Sequence, residues 1–574
     1  MSDVDSDSES EWPPRSPDIE VTFEIPLSSI SASVPLDISP AASPGHFRFL
    51  DCRALVDDSV LRVVTLLTTD ISTISYSAIS YPWRGNPADD ILASSFSVKG
   101  AESGDPISLA VLRSACIASL SNDGAPDEVG ARPNPKLCVA PYLWLDRLCI
   151  LQSSKQDKTW QIKHMFSLYK NCTQCLVLPG GLRRLVGLDE TTAWVQRAWT
   201  LQEALAPRAS FVLFAWQWET GFVASSSDMP SFKLREVVRG ERGKKHWVVP
   251  ARILGGSKAP SLFALSSAYE SVGRHRERGI WQSSFCRTSS RPVDIVFSIM
   301  GLFGVELDPE AFGVDDRVRA TMALAQGILR KGGTAQWIGI GTRASPCEQL
   351  STFPSFPQTT VSGPGKLQTW DGELVLSETA IDADSLDDLG VDSDSDDDSD
   401  RGQALPMLEG KEMDDDGYLL VAGRGCVVSA ATADAEFAAQ SEGRFARAVD
   451  GTRWEFLGGG PQAVTIEEAD FPRSVAIFIA KFSEGYDYTD ISDDSGDKGD
   501  GSASSSDALS ESDLDACKFM LVIEHAPARF HVASYFYLRE DFGDKVWPRK
   551  MHSWDTCNVL VGGPRVASPV LQPQ

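Results

Sequence analysis

Two carboxylates stand where an α/β site could use them. Asp146 ends the continuously apolar run Tyr142–Leu145 (YLWL), which reads as a parallel strand covered on both faces. Folds of that kind open their ligand crevice at the carboxyl ends of such strands. Glu203 follows Trp199 by four residues on a helical pattern, so the two side chains share one side of that helix. An aromatic wall beside a carboxylate can desolvate it and can stack a flat base. Both residues also have ordinary readings. A helical Glu is commonly a solvated surface group, and a strand-ending Asp commonly caps a helix or bonds a loop.

Other tempting spacings fail on context. Gly339-Ile-Gly341-Thr-Arg-Ala344 fits the loose dinucleotide fingerprint, but Ser345-Pro346-Cys347 follows where that fingerprint needs a helix N-terminus. Cys172-Thr-Gln-Cys175 has no second Cys or His pair at zinc-finger distance and reads as two core thiols. The seven histidines form no H-x-x-x-H pair, and no G-x-S-x-G elbow or Walker loop is present. No metal, hydrolase-triad or P-loop chemistry is therefore expected. Arg239–Lys245 (RGERGKK) and Arg274–Arg278 (RHRER) are basic and read as solvated loops, with docking to an acidic tract or a partner as the alternative. Ser393, Ser395 and Ser399 lie among aspartates, a setting that suits acid-directed kinases.

The elements that would position Asp146 and Glu203 can be read from periodicity. Leu61–Leu67 and Tyr76–Tyr81 read as strands, the second stopped by Pro82 and the turn Arg84-Gly85-Asn86-Pro87. After Asp146 a helix follows, with Ser154 and Asp157 as caps and an apolar stripe of Ile162, Met165, Phe166, Tyr169 and Cys172. Cys175–Leu178 is a short strand, and Thr191–Leu205 is the next helix. Pro292 opens a helix through Met300, and Asp315–Lys331 is amphipathic and stopped by Gly332-Gly333. Residues 343–380 read as irregular. Tyr418–Ala431, Arg453–Leu457, Val475–Phe482 and Phe519–Leu538 are strand-like, which makes the C-terminal part a β-rich module.

The chain has 574 residues and a formal charge of −27, from 53 basic and 80 acidic side chains. Residues 1–20 carry −6, 382–400 carry −10 and 484–515 carry −10, which sum to −26 and leave −1 for the rest. The folded part is thus nearly neutral, and the acid belongs to Ser-rich segments too self-repelling to bury a core. A nucleic-acid partner is not expected, since phosphate contact needs a cationic footprint. With 42% hydrophobic residues and 15 Trp there is material for two or three folded units. No apolar run approaches the roughly 20 residues of a membrane span, and an acidic N-terminus without an apolar region predicts no secretory signal. Eleven scattered cysteines suit reduced thiols in a cytoplasmic setting.

Four ordered blocks carry a family resemblance. They are Ala78-Ile-Ser-Tyr81-Pro-Trp83-Arg-Gly85, then Leu143-Trp-Leu-Asp146-Arg-Leu148-Cys149-Ile-Leu-Gln152, then Gln161-x3-Met165-x3-Tyr169-x-Asn171-Cys, and finally Arg197-Ala-Trp199-Thr200-Leu-Gln202-Glu203. In that order they resemble the fungal heterokaryon incompatibility (HET) domain, over about residues 76–213. Arg291-Pro-Val-Asp294 and the run after it are similar to a segment that often follows such a domain. The chain departs from the family pattern at Leu151, where Asn is usual, at Ser153-Ser154, where acidic residues are usual, and at Arg84, which interrupts a usually contiguous Trp-Gly.

The resemblance implies an effector that triggers cell death when non-self is sensed after hyphal fusion. HET blocks also look distantly like a TIR domain, and on that likeness Glu203 matches the glutamate that supports NAD cleavage. Asp146 is then a second, weaker candidate, and Trp199, Tyr81 and Trp83 line the pocket. NAD would be a substrate, with no resident cofactor required. The alternatives are a non-enzymatic, self-associating adaptor that works through protein partners, and a degenerate member without toxic activity.

The expected architecture is a TIR-like (flavodoxin-like) parallel sheet with flanking helices. Its parts are a disordered tail at 1–45, the HET domain at 46–230, a mainly helical continuation at 231–342, a disordered acidic linker at 343–410, and a β-rich module at 411–574 with an acidic insertion at 484–515.

Overall fold

A computed structural model describes residues 18–87, 94–120, 139–187, 190–215, 231–233, 264–265, 267–269, 271–359, 363–382, 385–386, 407–431, 445–457, 472–483, 515–539 and 554–563. The chain divides into two compact units, one formed by residues 1–187 and 206–233 and the other by 188–205 and 234–574. The expected loop at Arg239–Lys245, the serines at 393–399 and most of the three acidic tracts lie outside the described residues.

The first unit is built on an eight-stranded sheet. Its strands are β1 (Ile19–Pro26), β2 (Arg48–Asp51), β3 (Val60–Leu66), β4 (Tyr76–Ser80), β5 (Tyr142–Trp144), β6 (Gln174–Val177), β7 (Ser210–Leu213) and β8 (Ser231–Lys233), in the spatial order β1-β3-β2-β5-β4-β6-β7-β8. The pairs β5–β4, β4–β6 and β6–β7 are parallel, and all the others are antiparallel. Within the parallel block the strands therefore run 2-1-3-4 by sequence, the beginning of a doubly wound order whose switch point lies between β4 and β6. The helices α1 (Cys52–Val56), α2 (Leu109–Leu120), α3 (Asp146–Cys149) and α4 (Lys155–Asn171) complete the unit. The sheet is mixed rather than purely parallel. β5 is parallel to β4 on one side and antiparallel to β2 on the other.

β1 corrects the expected tail. Disorder was expected to residue 45, yet Ile19, Val21, Phe23 and Ile25 alternate with Glu20, Thr22 and Glu24, a two-residue period that the acid-rich composition conceals. A second fixture of this unit was read only as a helix cap. Asp157 is wholly buried beside Arg48, and it accepts the amides of Gly45 at 2.8 Å and Leu151 at 2.8 Å, while Ser154 alone caps α4.

The second unit begins with α5 (Trp199–Leu205) and continues through α6 (Gly273–Phe285), α7 (Asp294–Met300) and α8 (Arg317–Arg330). The single helix expected over Thr191–Leu205 is instead a short 3-10 turn, Trp194–Gln196, followed by α5. The break has a tertiary cause: the Ala198 amide donates to the Thr288 carbonyl at 2.9 Å and the Thr288 amide to the Gln196 carbonyl at 2.7 Å, which takes these groups from the helical ladder. The basic stretch at Arg274–Arg278 is helical rather than a solvated loop. Arg278 is buried and donates to the carbonyls of Ile338 and Gly339.

Part of the expected irregular linker is also ordered. Lys366–Gln368 and Leu374–Leu376 pair as a hairpin around Asp371-Gly372, with Gly372 at φ +86°. That dipeptide is a turn signal, since Gly takes a positive φ without a Cβ clash.

The C-terminal module is a nine-stranded sheet that closes on itself. Leu419–Ala430, Ser474–Ser483, Asp515–Ala526, Arg529–Arg539 and Asp555–Val561 pair in a ring. Closure gives each of these five strands a neighbour on both sides. Phe478, Phe519, Phe536 and Trp554 belong to its buried core. Ser483 and Asp515 are register partners, so residues 484–514 connect adjacent strand ends. The ten described cysteines are all buried and no disulfide joins any of them, Cys172 and Cys175 included.

Candidate functional site

Asp146 and Tyr81 are brought together by strand register. Ala78 of β4 pairs with Trp144 of β5, so the residues that leave the carboxyl ends of these parallel neighbours lie side by side. The Tyr81 hydroxyl and the Arg147 amide donate to Asp146 Oδ1, the latter at 2.7 Å, and Trp83 Nε1 donates to Oδ2 at 2.6 Å. The Asp146 carbonyl accepts Gln152 Nε2 at 2.8 Å. Burial pushes the Asp146 carboxyl above its ordinary pKa, against the pull of these donors and of Arg147. Burial, and then the neighbouring Asp146, also hold the Tyr81 phenol well above its ordinary value.

Arg147 sits beneath this assembly. It is fully buried, donates to the carbonyls of Asp105 and Ala101, and lies 5.8 Å from the Trp83 ring centroid. A Cβ on Gly104 would fall 2.9 Å from that guanidinium, so glycine leaves the room it occupies. At the switch point the loop after β4 meets the turn after β6. The Asn86 amide donates to the Gly180 carbonyl at 2.9 Å, and a Cβ on Gly85 would lie 1.9 Å from that oxygen. The Asp105 carboxylate holds the Gly85 amide at 2.8 Å.

The departures from the family pattern leave this geometry intact. Arg84 is exposed and bonds the Ser103 carbonyl at 3.1 Å, while Gly85 still makes the close approach. Leu151 contributes its backbone amide, not its side chain, to Asp157.

Glu203 and Trp199 belong to the second unit. Glu203 is buried on α5, and Trp199 Nε1 reaches Asp294 Oδ2 at 3.4 Å. Beside Glu203 lies Arg287, which is fully buried. Its Nη1 donates to the Arg197 carbonyl at 2.9 Å and to Thr200 Oγ1 at 2.7 Å, whereas Nε and Nη2 have no partner among the described residues. Burial lowers its pKa to about 10, opposed by Cys286, Glu203 and Tyr269. Burial raises the Asp294 carboxyl, against the charges of Arg291 and Arg197 and the bond from Trp199. Arg287 could not be found from the sequence, where it is one Arg after Phe285-Cys286. Asp294 was visible only as part of the Arg-Pro-Val-Asp resemblance.

The remaining sequence candidate is a turn. Gly339 has φ +67°, and its carbonyl accepts Arg278 and Lys518. Lys518 is buried and also pairs with Asp382 at 2.7 Å, with Thr342 and Tyr537 on the same carboxylate.

The first unit is therefore an α/β domain whose aromatic pair and Asp146 are assembled at the carboxyl ends of parallel strands. Residues 76–190 match the family described as heterokaryon incompatibility protein (HET), and the chain carries a HET domain over that stretch. The matched residues include Tyr81, Trp83 and Asp146 and end before Trp199 and Glu203. No curated protein and no solved structure matches the chain. Among the described residues no helix is long and apolar enough to cross a membrane.

Proposed function

We propose a heterokaryon incompatibility-type function, which the match of residues 76–190 to the HET family supports. We propose that the chain is an effector of that response, which converts recognition of non-self after cell fusion into growth arrest or death. The observation that supports this reading is the Tyr81–Asp146–Trp83 hydrogen-bonded assembly inside the matched stretch.

For the chemical step we propose TIR-like cleavage of NAD with Glu203 as the carboxylate. Glu203 lies out of water beside the buried Arg287. A fixed negative charge in such surroundings stabilises the positive charge of an oxocarbenium-like transition state. Within the first unit Asp146 has a positioning role. Three donors already converge on its carboxylate, so it orients Tyr81 and Trp83.

That same saturation favours a second reading, a non-enzymatic adaptor in which the assembly shapes a self-association surface. One experiment separates the two: nicotinamide release from NAD by the full-length protein, wild type against Glu203→Gln. Turnover that falls at least about a hundredfold in the variant supports the enzyme. Growth arrest in a fungal host, with no turnover in either protein, supports the adaptor.

A further inference from the structure

We propose that His525 and His531 form a binding site for a nitrogen-preferring divalent cation such as Zn2+, on the surface of the C-terminal strand ring. The two residues come from neighbouring antiparallel strands, Asp515–Ala526 and Arg529–Arg539. Ile523 is paired with His531, and a bulge between Glu524 and Ala526 leaves His525 as the extra residue. A bulge re-aims its side chain, and here it turns His525 toward His531.

The ring geometry is that of two ligands on one ion. With Zn–N bonds of about 2.0–2.1 Å at a tetrahedral angle, two imidazole nitrogens stand about 3.3 Å apart and their ring centroids about 5.2 Å apart. In the protein the two Nδ1 atoms are 3.2 Å apart and the centroids 5.2 Å apart. The outer ring nitrogen of His525 is held as well. Its Nε2 lies 2.9 Å from the Tyr418 hydroxyl, and metal-bound imidazoles are commonly oriented by a hydrogen bond at the nitrogen that does not bind the ion. With Nδ1 on the metal, His525 donates from Nε2 to the Tyr418 oxygen.

Tyr418 is itself fixed. It is buried, Arg529 lies 4.3 Å over its ring, and a Cβ on Gly563 would meet its hydroxyl at 2.0 Å. The Arg529 charge is offset by Asp416 at 3.7 Å, and Glu524 beside His525 is engaged by Arg473 at 2.8 Å. Both histidines remain partly exposed, so an ion can enter from solvent. Among the described residues no group of three or more His, Cys, Asp or Glu side chains converges, so water completes the coordination. Two imidazoles select Zn2+, Cu2+ or Ni2+ over Mg2+ and Ca2+, which prefer oxygen.

The test is titration calorimetry of the metal-stripped full-length protein with Zn2+, in excess Mg2+ so that the acidic tracts are already occupied. One saturable Zn2+ per chain is expected. His525→Ala and His531→Ala should each weaken it at least about tenfold, Tyr418→Phe should weaken it less, and acidification should weaken it as protons compete. His531→Gln, which keeps size and polarity, serves if the alanine variant melts early. Absence of saturable binding by the wild type would reduce the pair to two hydrogen-bonded rings and overturn the site. Equal binding by the wild type and the double variant would assign the ion to carboxylates and overturn it too.

Discussion

Asp157 in the first unit is wholly buried, Asp146 in the same unit and Asp294 in the second are half-buried, and the three differ in their surroundings. Asp157 receives Arg48 and two backbone amides, and Asp146 receives a phenol, an indole and an amide. Asp294 has one long bond from Trp199, and among the described residues its Oδ1 has no partner, nor have two donor nitrogens of Arg287 in the same unit. A saturated carboxylate fixes a loop. A buried polar group without a partner costs free energy and calls for an explanation, such as a proton to be moved or a ligand to be held. Among the described residues the first unit thus holds two carboxylates with several donors each and the second holds one with an open oxygen, although Arg147 Nε in the first unit also lacks a partner there.

The contrast is broken most severely at Asp157. Asp157→Ala strands Arg48 in the core and should cost about 3–5 kcal/mol, seen as a lowered midpoint of chemical unfolding. Asp294→Ala removes only one weak bond and should cost less than half as much. Equal losses would erase the distinction between saturated and open carboxylates.

The next effect is at the root of an acidic tract. Asp382 is the half-buried partner of Lys518, so deletion of 382–400 should cost about 2 kcal/mol or more, while deletion of 387–400, which spares Asp382 and the Ser385–Leu386 strand, should leave the melting temperature unchanged. Two deletions of equal stability would mean that Lys518 does not need its partner.

The smallest effect is the pH dependence at Asp146. A carboxyl whose folded pKa is raised favours the native state while protonated. That contribution is complete below its unfolded value of about 3.9 and is lost as pH rises through the folded value. The stability of wild type relative to Asp146→Asn should therefore be greatest near that value and decline on raising the pH. A difference that grows with pH would mean that the donors from Tyr81, Trp83 and Arg147 outweigh burial.

Local periodicity made β3, β4, β5 and α4 legible in the sequence, and it placed Asp146 at a strand end because YLWL has no polar interruption. It also placed Glu203 on a helix. The sequence misled where long-range bonds decide. Thr288 breaks the helix before Trp199 from ninety residues away, and Asp157 turns from a cap into a buried ion partner because Arg48 is folded over it. β1 was hidden for a different reason, since acidic composition outweighed a clear alternation. Within the site, Tyr81 and Trp83 were reached only through resemblance. Their bonds to one carboxylate follow from the pairing of Ala78 with Trp144, which no single segment encodes.

The register of Ser483 with Asp515 has a consequence for how this chain can change. Because paired strands already hold the two ends together, the cost of the intervening segment rises only with the logarithm of its length, about 0.6 kcal/mol for each doubling. Residues 484–514 can therefore be lengthened, shortened or recharged by small insertions without redrawing the strand ring. Drift in size and charge should concentrate there, while the ring that carries it stays constant.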